Sequence, residues 1–256
     1  MSSLLHRVGL TAVLLAAPTM AAAQASLTVD GTEFVLTTAA GRILRSADLV
    51  GAALKIGAGA KQIEVTITHV EDDGDAVGGR VVLHHFVVKD ETGKPVDMCG
   101  PDPDGRRLGF PVSDGRGGFE LTCSTGVIGK CVRWGYRPWE EKPDGPPLRA
   151  LHRACTHMAR ADYGGDGHPT TRDGTIIIIC DRFGIRPCHD GAPMAFEAAW
   201  GVDGAICVAR PRIPQNITLA QLAARYPRLK PRLGPACTQA AAMRDRDALL
   251  FNRSGP

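Results

Sequence analysis

The chain has 256 residues, 44% of them hydrophobic and 22% charged, with a formal net charge of +3 at pH 7. Such a length can bury a sizeable core, as one large domain or two small ones. Lys and Arg number 30 against 27 Asp and Glu, with no basic cluster, so nucleic acid is not an expected partner.

The N-terminus reads as a secretory signal. His6 and Arg7 precede an apolar run over 8–16, and Ala21, Ala22 and Ala23 lead into Gln24 and Ala25. These are the parts of a cleavable leader over 1–25, cut after Ala23 or Ala25. The run is short of the ~20 apolar residues of a membrane span. No cysteine near the cut site offers a lipid anchor, and no later segment could span a bilayer. The expected location is periplasmic or secreted.

The region 26–95 reads as β structure. Residues 27–29, an Asp30-Gly31 turn and residues 32–36 predict a hairpin. Residues 62–68 alternate, with Ile63, Val65 and Ile67 on one face, and 80–89 form a longer apolar run. An Asp/Gly-rich stretch joins these two strands, which should pair antiparallel. His84 and His85 are adjacent in the second and so point to opposite faces. Residues 100–118 carry turn chemistry and read as loop, and 119–123 read as a strand.

The clearest helix covers 148–161, opened by Pro147. Leu148, Leu151, Ala154, Cys155, Met158 and Ala161 share one side, and Arg149, Arg153, Thr156 and Arg160 the other. His152 and His157 border the stripe on opposite sides and cannot share a metal. The β-branched run in 175–180 reads as a buried strand. A strand pair follows over 196–200 and 205–209. Thr218 and Gln221 form a capping box, with Ile217 stapling to Leu222, and Pro227 ends that helix. A last helix is expected within 237–251. The class is α+β: a β-rich N-terminal region with antiparallel strands over 26–95, then a disulfide-containing α+β domain over 96–256, with helices confined to the C-terminal half.

All eight cysteines follow the leader: Cys99, Cys123, Cys131, Cys155, Cys180, Cys188, Cys207 and Cys237. An even count in an oxidising compartment reads as disulfides. No C-x-x-C pair favours structural zinc, and no metal site is assigned. Eight cysteines allow about 105 pairings, so the connectivity stays open.

The most unusual stretch runs from Asp162 to Asp173. Asp162, Tyr163, Asp166 and Asp173 are binding candidates there, and three carboxylates could hold a hard cation. Asp166 with His168 is the candidate pair for proton transfer. The spacing of a calcium loop is not met, and Asp and Gly also simply build turns. No cofactor is expected beyond that cation. Trp134, Tyr136 and Trp139, among Arg133 and Arg137, would stack sugars or bind protein if exposed. Otherwise they fill the core under Arg stems. Asn216 and Asn252 sit in glycosylation sequons.

Several motifs together resemble the bacterial ADYC-domain family. They are 131–139 (C-V-R-W-G-Y-R-P-W), His152 to Cys155, Met158 to Tyr163 with Gly165-Asp166-Gly167, Phe196-Glu-Ala-Ala-Trp200, and Gly204 to Cys207. The resemblance covers roughly 95–255 and implies export with cysteines around these motifs, but no established activity or cofactor. This chain departs at the naming position, where Gly164 stands in place of cysteine. If the family cysteine is bridged, that bridge is absent or rerouted here, with Cys180 or Cys188 as substitutes. The expected function is a non-enzymatic binding or structural module of the envelope or secretome. Its expected partner is an envelope component or another exported protein. The alternatives are a secreted hydrolase or a metal-binding module using the loop over 162–173.

Overall fold

The computed structural model describes residues 25–57, 62–115, 117–141, 145–189 and 193–255. The expected leader, 1–25, lies outside the described residues except for Ala25. From there the Asp-Gly turn does what its chemistry predicts. β1 (Ser26–Asp30) and β2 (Glu33–Thr37) pair antiparallel, and β3 (Ile43–Arg45) completes a three-stranded sheet. A 3-10 turn over Ser46–Leu49 leads to β4 (Ala53–Ile56), β5 (Ile63–Asp72) and β6 (Val82–Lys89). β5 and β6 pair antiparallel as expected. With β7 (Pro95–Asp97), β8 (Leu108–Ser113) and β9 (Phe119–Cys123) they form a six-stranded sheet ordered β4-β5-β6-β8-β9, with β7 also on β6.

β8 corrects the reading of 100–118 as loop. Leu108, Phe110 and Val112 are buried there between two turn-rich flanks that mask the strand in sequence. The three-stranded sheet covers one face of the larger sheet, enclosing Phe34, Leu49, Val65, Ile67 and Phe86. A second cluster around Val81, Leu83, Phe110 and Val112 packs against Val132 of α1 (Val127–Arg133).

His84 and His85 separate as predicted. His85 meets Asp97 near the surface at 2.9 Å. His84 is fully buried, stacked on Phe86, with Nε2 2.7 Å from Ser46 Oγ. Its Nδ1 has no well-placed partner, a weak approach to the Gly109 backbone aside. Burial lowers its pKa to about 4, because the charged imidazolium would lose its hydration there, an effect that the Gly109 backbone only partly offsets. Burial lowers His152 to about 4 as well. A histidine depressed in the fold takes up its proton more readily when unfolded. Its stabilising contribution is therefore complete above pH ~6.5 and lost as pH falls through the folded value near 4. His84 alone should cost about 2 kcal/mol between pH 7 and pH 5. Urea melts of wild type and His84→Asn across that window check this. An unchanged slope in the variant would sink it.

The later part is built around α2 (Leu148–Arg160), whose predicted stripe is the buried one: Leu148, Leu151, Ala154, Cys155 and Met158. It lies on a four-stranded antiparallel sheet ordered β10-β13-β11-β12. The strands are β10 (Ile177–Asp181), β11 (Ala195–Gly201), β12 (Gly204–Val208) and β13 (Leu250–Ser254). β10 is an edge strand and only half-buried, with Ile176 just before it 71% exposed. The reading of 175–180 as a buried strand was too strong. The capping box forms: the Gln221 N–H donates to Thr218 Oγ1 at 3.2 Å and the Thr218 N–H to Gln221 Oε1 at 2.8 Å, opening α3 (Leu219–Arg225). The expected last helix shrinks to α4 (Gln239–Ala242), and the chain then enters the sheet as β13. The fold is thus α+β, with antiparallel N-terminal sheets. Among the described residues no helix is long and apolar enough to cross a membrane.

Each cysteine bonds the next along the chain: Cys99–Cys123, Cys131–Cys155, Cys180–Cys188 and Cys207–Cys237. None is left free. The first bridge sits on the six-stranded sheet, the second joins α1 to α2, the third closes a short loop after β10, and the fourth ties β12 to the segment before α4.

Candidate functional site

The stretch expected to carry chemistry begins where α2 ends. Ala161 takes a left-handed conformation, φ 49°, which non-glycine residues adopt only when their surroundings hold them there. Asp162 does the holding. Its Oδ1 accepts from the Gly165 N–H at 3.0 Å, and its Oδ2 from the Gly167 N–H at 3.0 Å, with His157 Nδ1 also at 3.0 Å. It is 1% exposed, so its oxygens serve the loop that they sit in.

Tyr163 points into the core and stacks on Trp200. Its hydroxyl donates to Glu197 Oε1 at 3.1 Å and accepts from the Arg212 N–H at 2.8 Å. Burial, then the Glu197 charge, pushes its pKa well up. Glu197 and Arg212 form a buried ion pair, with Nε to Oε2 at 3.0 Å. Asn252 donates to Glu197 Oε2 at 2.8 Å and accepts from Trp200 Nε1 at 2.7 Å. Arg212 also donates to the carbonyls of Met158 at 2.7 Å and Ala159 at 3.0 Å. Those are carbonyls of the last turn of α2, where the helix leaves acceptors free or shared; Met158 O also accepts from the Ala161 N–H at 3.1 Å. Asn252 is 1% exposed, which closes its sequon to a glycan in the folded chain.

Asp166 and His168 do come together, Nδ1 to Oδ1 at 3.0 Å, but with side chains 40% and 60% exposed. Tyr226 donates to the Asp166 carboxylate at 3.1 Å. Burial pushes the Asp166 carboxyl up, yet hydrogen bonds from His168 and Tyr226 outweigh this and hold it below its usual value. Asp173 is exposed elsewhere on the surface, beside Arg172 and Ile176. The three carboxylates therefore do not converge. Among the described residues no three His, Cys, Asp or Glu side chains are grouped as a metal would need.

The aromatic group is divided between two cores. Tyr136 is fully buried and donates to Asp181 Oδ2 at 3.1 Å, its pKa pushed up by burial and then by that carboxylate. Trp134 packs on the same core as α2, whereas Trp139 packs beneath α1. Arg137 is buried and donates to the carbonyls of Val77, Gly78 and Gly79. The three rings share no stacking surface.

A concave site lies elsewhere, on the face of the four-stranded sheet opposite α2. It is a cavity of about 470 Å³ walled by Ile178, Phe196 and Phe251 and by Ile185 and Pro187 of the loop that the Cys180–Cys188 bridge closes. Arg186, in the same loop, also lines it. Its backbone N–H is tied to Asp181 Oδ2 at 2.7 Å, but among the described residues its guanidinium has no hydrogen-bond partner, and its Nε is buried. Arg253 across the cavity donates only to neutral groups, Met194 O at 2.9 Å and Gln239 Oε1 at 2.6 Å. Reading the sequence missed Glu197, Arg212 and Arg186. The one available signal for Arg186 was its place between two cysteines eight residues apart.

Gly164 has a packing reason. A Cβ there would come within 2.3 Å of the Tyr226 ring, so a cysteine at this position would meet that ring. Cys180 and Cys188 bond each other and replace no missing partner. Gly164→Cys should therefore destabilise by about 1–3 kcal/mol. Adding Tyr226→Ala should restore most of that loss, as thermal melts of the single and double variants would record. Additive losses would refute the steric account.

The ADYC domain family matches residues 46–214, about two thirds of the chain. The matched span takes in β4 to β12. No curated protein and no solved structure matches the chain.

Proposed function

The chain belongs to the ADYC-domain family, and on that premise we propose that it is an exported, disulfide-stapled binding module of the bacterial envelope or secretome that performs no chemistry of its own. The observation that carries this reading is where the motif spends its polar atoms. Asp162 is consumed by its own loop, and Tyr163 by Glu197 and Arg212, all buried. The exposed Asp166–His168 pair stands on open surface, and its hydrogen-bond partners there, Tyr226 and Arg225, include no serine, threonine or cysteine for the histidine to activate. Four disulfides and the leader pattern in residues 6–25 support an oxidising destination.

On this reading Asp166→Ala and His168→Ala each keep the fold within about 1 kcal/mol, as exposed ion pairs do. They change nothing in an esterase, glycosidase and peptidase screen. A hydrolytic activity of the wild type that both variants lose would refute the non-catalytic reading. The intact mass of the protein recovered from a periplasmic fraction tests export separately, with cleavage after Ala23 or Ala25 expected.

A further inference from the structure

We propose that the cavity on the outer face of the four-stranded sheet binds an aliphatic carboxylate, with Arg186 receiving its head group. This deepens the binding-module reading and rests on it. The volume, about 470 Å³, lies within the range of small-molecule sites. The walls are Ile178, Ile185, Phe196 and Phe251 with two prolines, which suit a hydrocarbon chain. Among the described residues the charged side chains that line it are few and of one sign. Arg186 and Arg253 line the cavity, His189 stands at its border, and no Asp or Glu side chain lines it among the described residues.

Arg186 is the group that asks for a ligand. A buried N–H without an acceptor costs free energy, and a guanidinium matches a carboxylate with two parallel hydrogen bonds. Arg253 already has its acceptors, both neutral, and so adds positive potential without competing for the anion. The loop bearing Arg186 is fixed at both ends by the Cys180–Cys188 bridge and internally by Asp181, which accepts from the N–H groups of Phe183, Ile185 and Arg186. The backbone that presents the guanidinium is therefore fixed before any ligand arrives.

The test is calorimetric titration of the oxidised, leader-free chain with dodecanoate, dodecanol and dodecyltrimethylammonium below their micellar concentrations. Dodecanoate should bind one to one, and the ammonium compound about tenfold or more weaker. Arg186→Met removes no bond within the protein and should keep the wild-type Tm. It should weaken dodecanoate by about tenfold or more while leaving dodecanol unchanged. Ile178→Trp should fill the cavity and abolish binding of both. Equal binding of the three compounds, or an Arg186→Met variant that binds dodecanoate like wild type, overturns the carboxylate assignment. Absence of binding by all three overturns the site, as does a tighter fit for an N-acetylated apolar tripeptide acid. None of these failures bears on the absence of hydrolytic activity, on which the broader reading is separately judged.

Discussion

Glu197→Ala should lower the unfolding free energy by about 3–5 kcal/mol, because it leaves the Arg212 guanidinium buried without its counter-charge. Both side chains are within 1% of complete burial. The damage extends beyond the pair. Tyr163 and Asn252 both donate to the same carboxylate and would lose their acceptor, in an interior where an unpaired donor is costly. A domain is typically stable by only about 5–15 kcal/mol, so this one change consumes a large share. Urea denaturation at pH 7 measures it. Arg212→Met on the same background should recover part of the loss, giving a coupling energy of opposite sign to the single effects. A single-variant cost below about 1 kcal/mol would show that the network contributes little to holding the fold.

The second large effect concerns the bridges. Replacing Cys131 and Cys155 together by Ala should cost about 3–4 kcal/mol, from the loop-closure entropy returned to the unfolded chain and the packing lost between two fully buried sulfurs. The same exchange at Cys180 and Cys188 should cost less, because that bridge closes a separation of only 8 residues against 24. Paired denaturation curves decide the order. Equal losses, or the reverse order, would refute the loop-length account. The Cys180–Cys188 variant should instead show its effect in dodecanoate binding, since it frees the loop that presents Arg186.

Particular residues explain what could be read in advance. α2 was legible because Leu148, Leu151, Cys155 and Met158 recur at helical spacing over thirteen residues, and the side they mark is the one buried. α1 has only seven residues, about two turns, too few for a period to emerge. β8 was hidden by the turn-rich stretches on either side, 102–105 and 114–118, and the glycine within it, Gly109, resembles theirs. It is glycine for another reason: a Cβ there would lie 2.5 Å from the Thr122 carbonyl and 3.0 Å from Cys99 Sγ. Close packing and turning use the same residue, and one sequence cannot separate them.

The candidate site shows the same limit in chemical form. Asp162, Tyr163, Asp166 and His168 were visible as a concentration of polar chemistry, and Asp166 does meet His168. The Asp162 oxygens turn inward onto their own loop, together with a left-handed residue at Ala161 that no side-chain pattern announces. Glu197 sits within Phe196-Glu-Ala-Ala-Trp200, where simple alternation says little. The register between β11 and β13 shifts between Phe196 and Ala198, and Glu197 is the residue at that irregularity. Its partner Arg212 lies fifteen positions on and carries no local mark.

β13 pairs with β10 on one side and β11 on the other. Until residues 250–254 arrive, both neighbours have bare edges, Trp200 lacks the Asn252 amide, and Glu197 lacks one of its donors. A chain emerging N-terminus first can therefore assemble its early sheets while this later sheet waits for its middle. During that interval two apolar strands are open to pairing with other copies. For an exported chain the wait would end only on the far side of the membrane, where the last residues and the oxidant are met together.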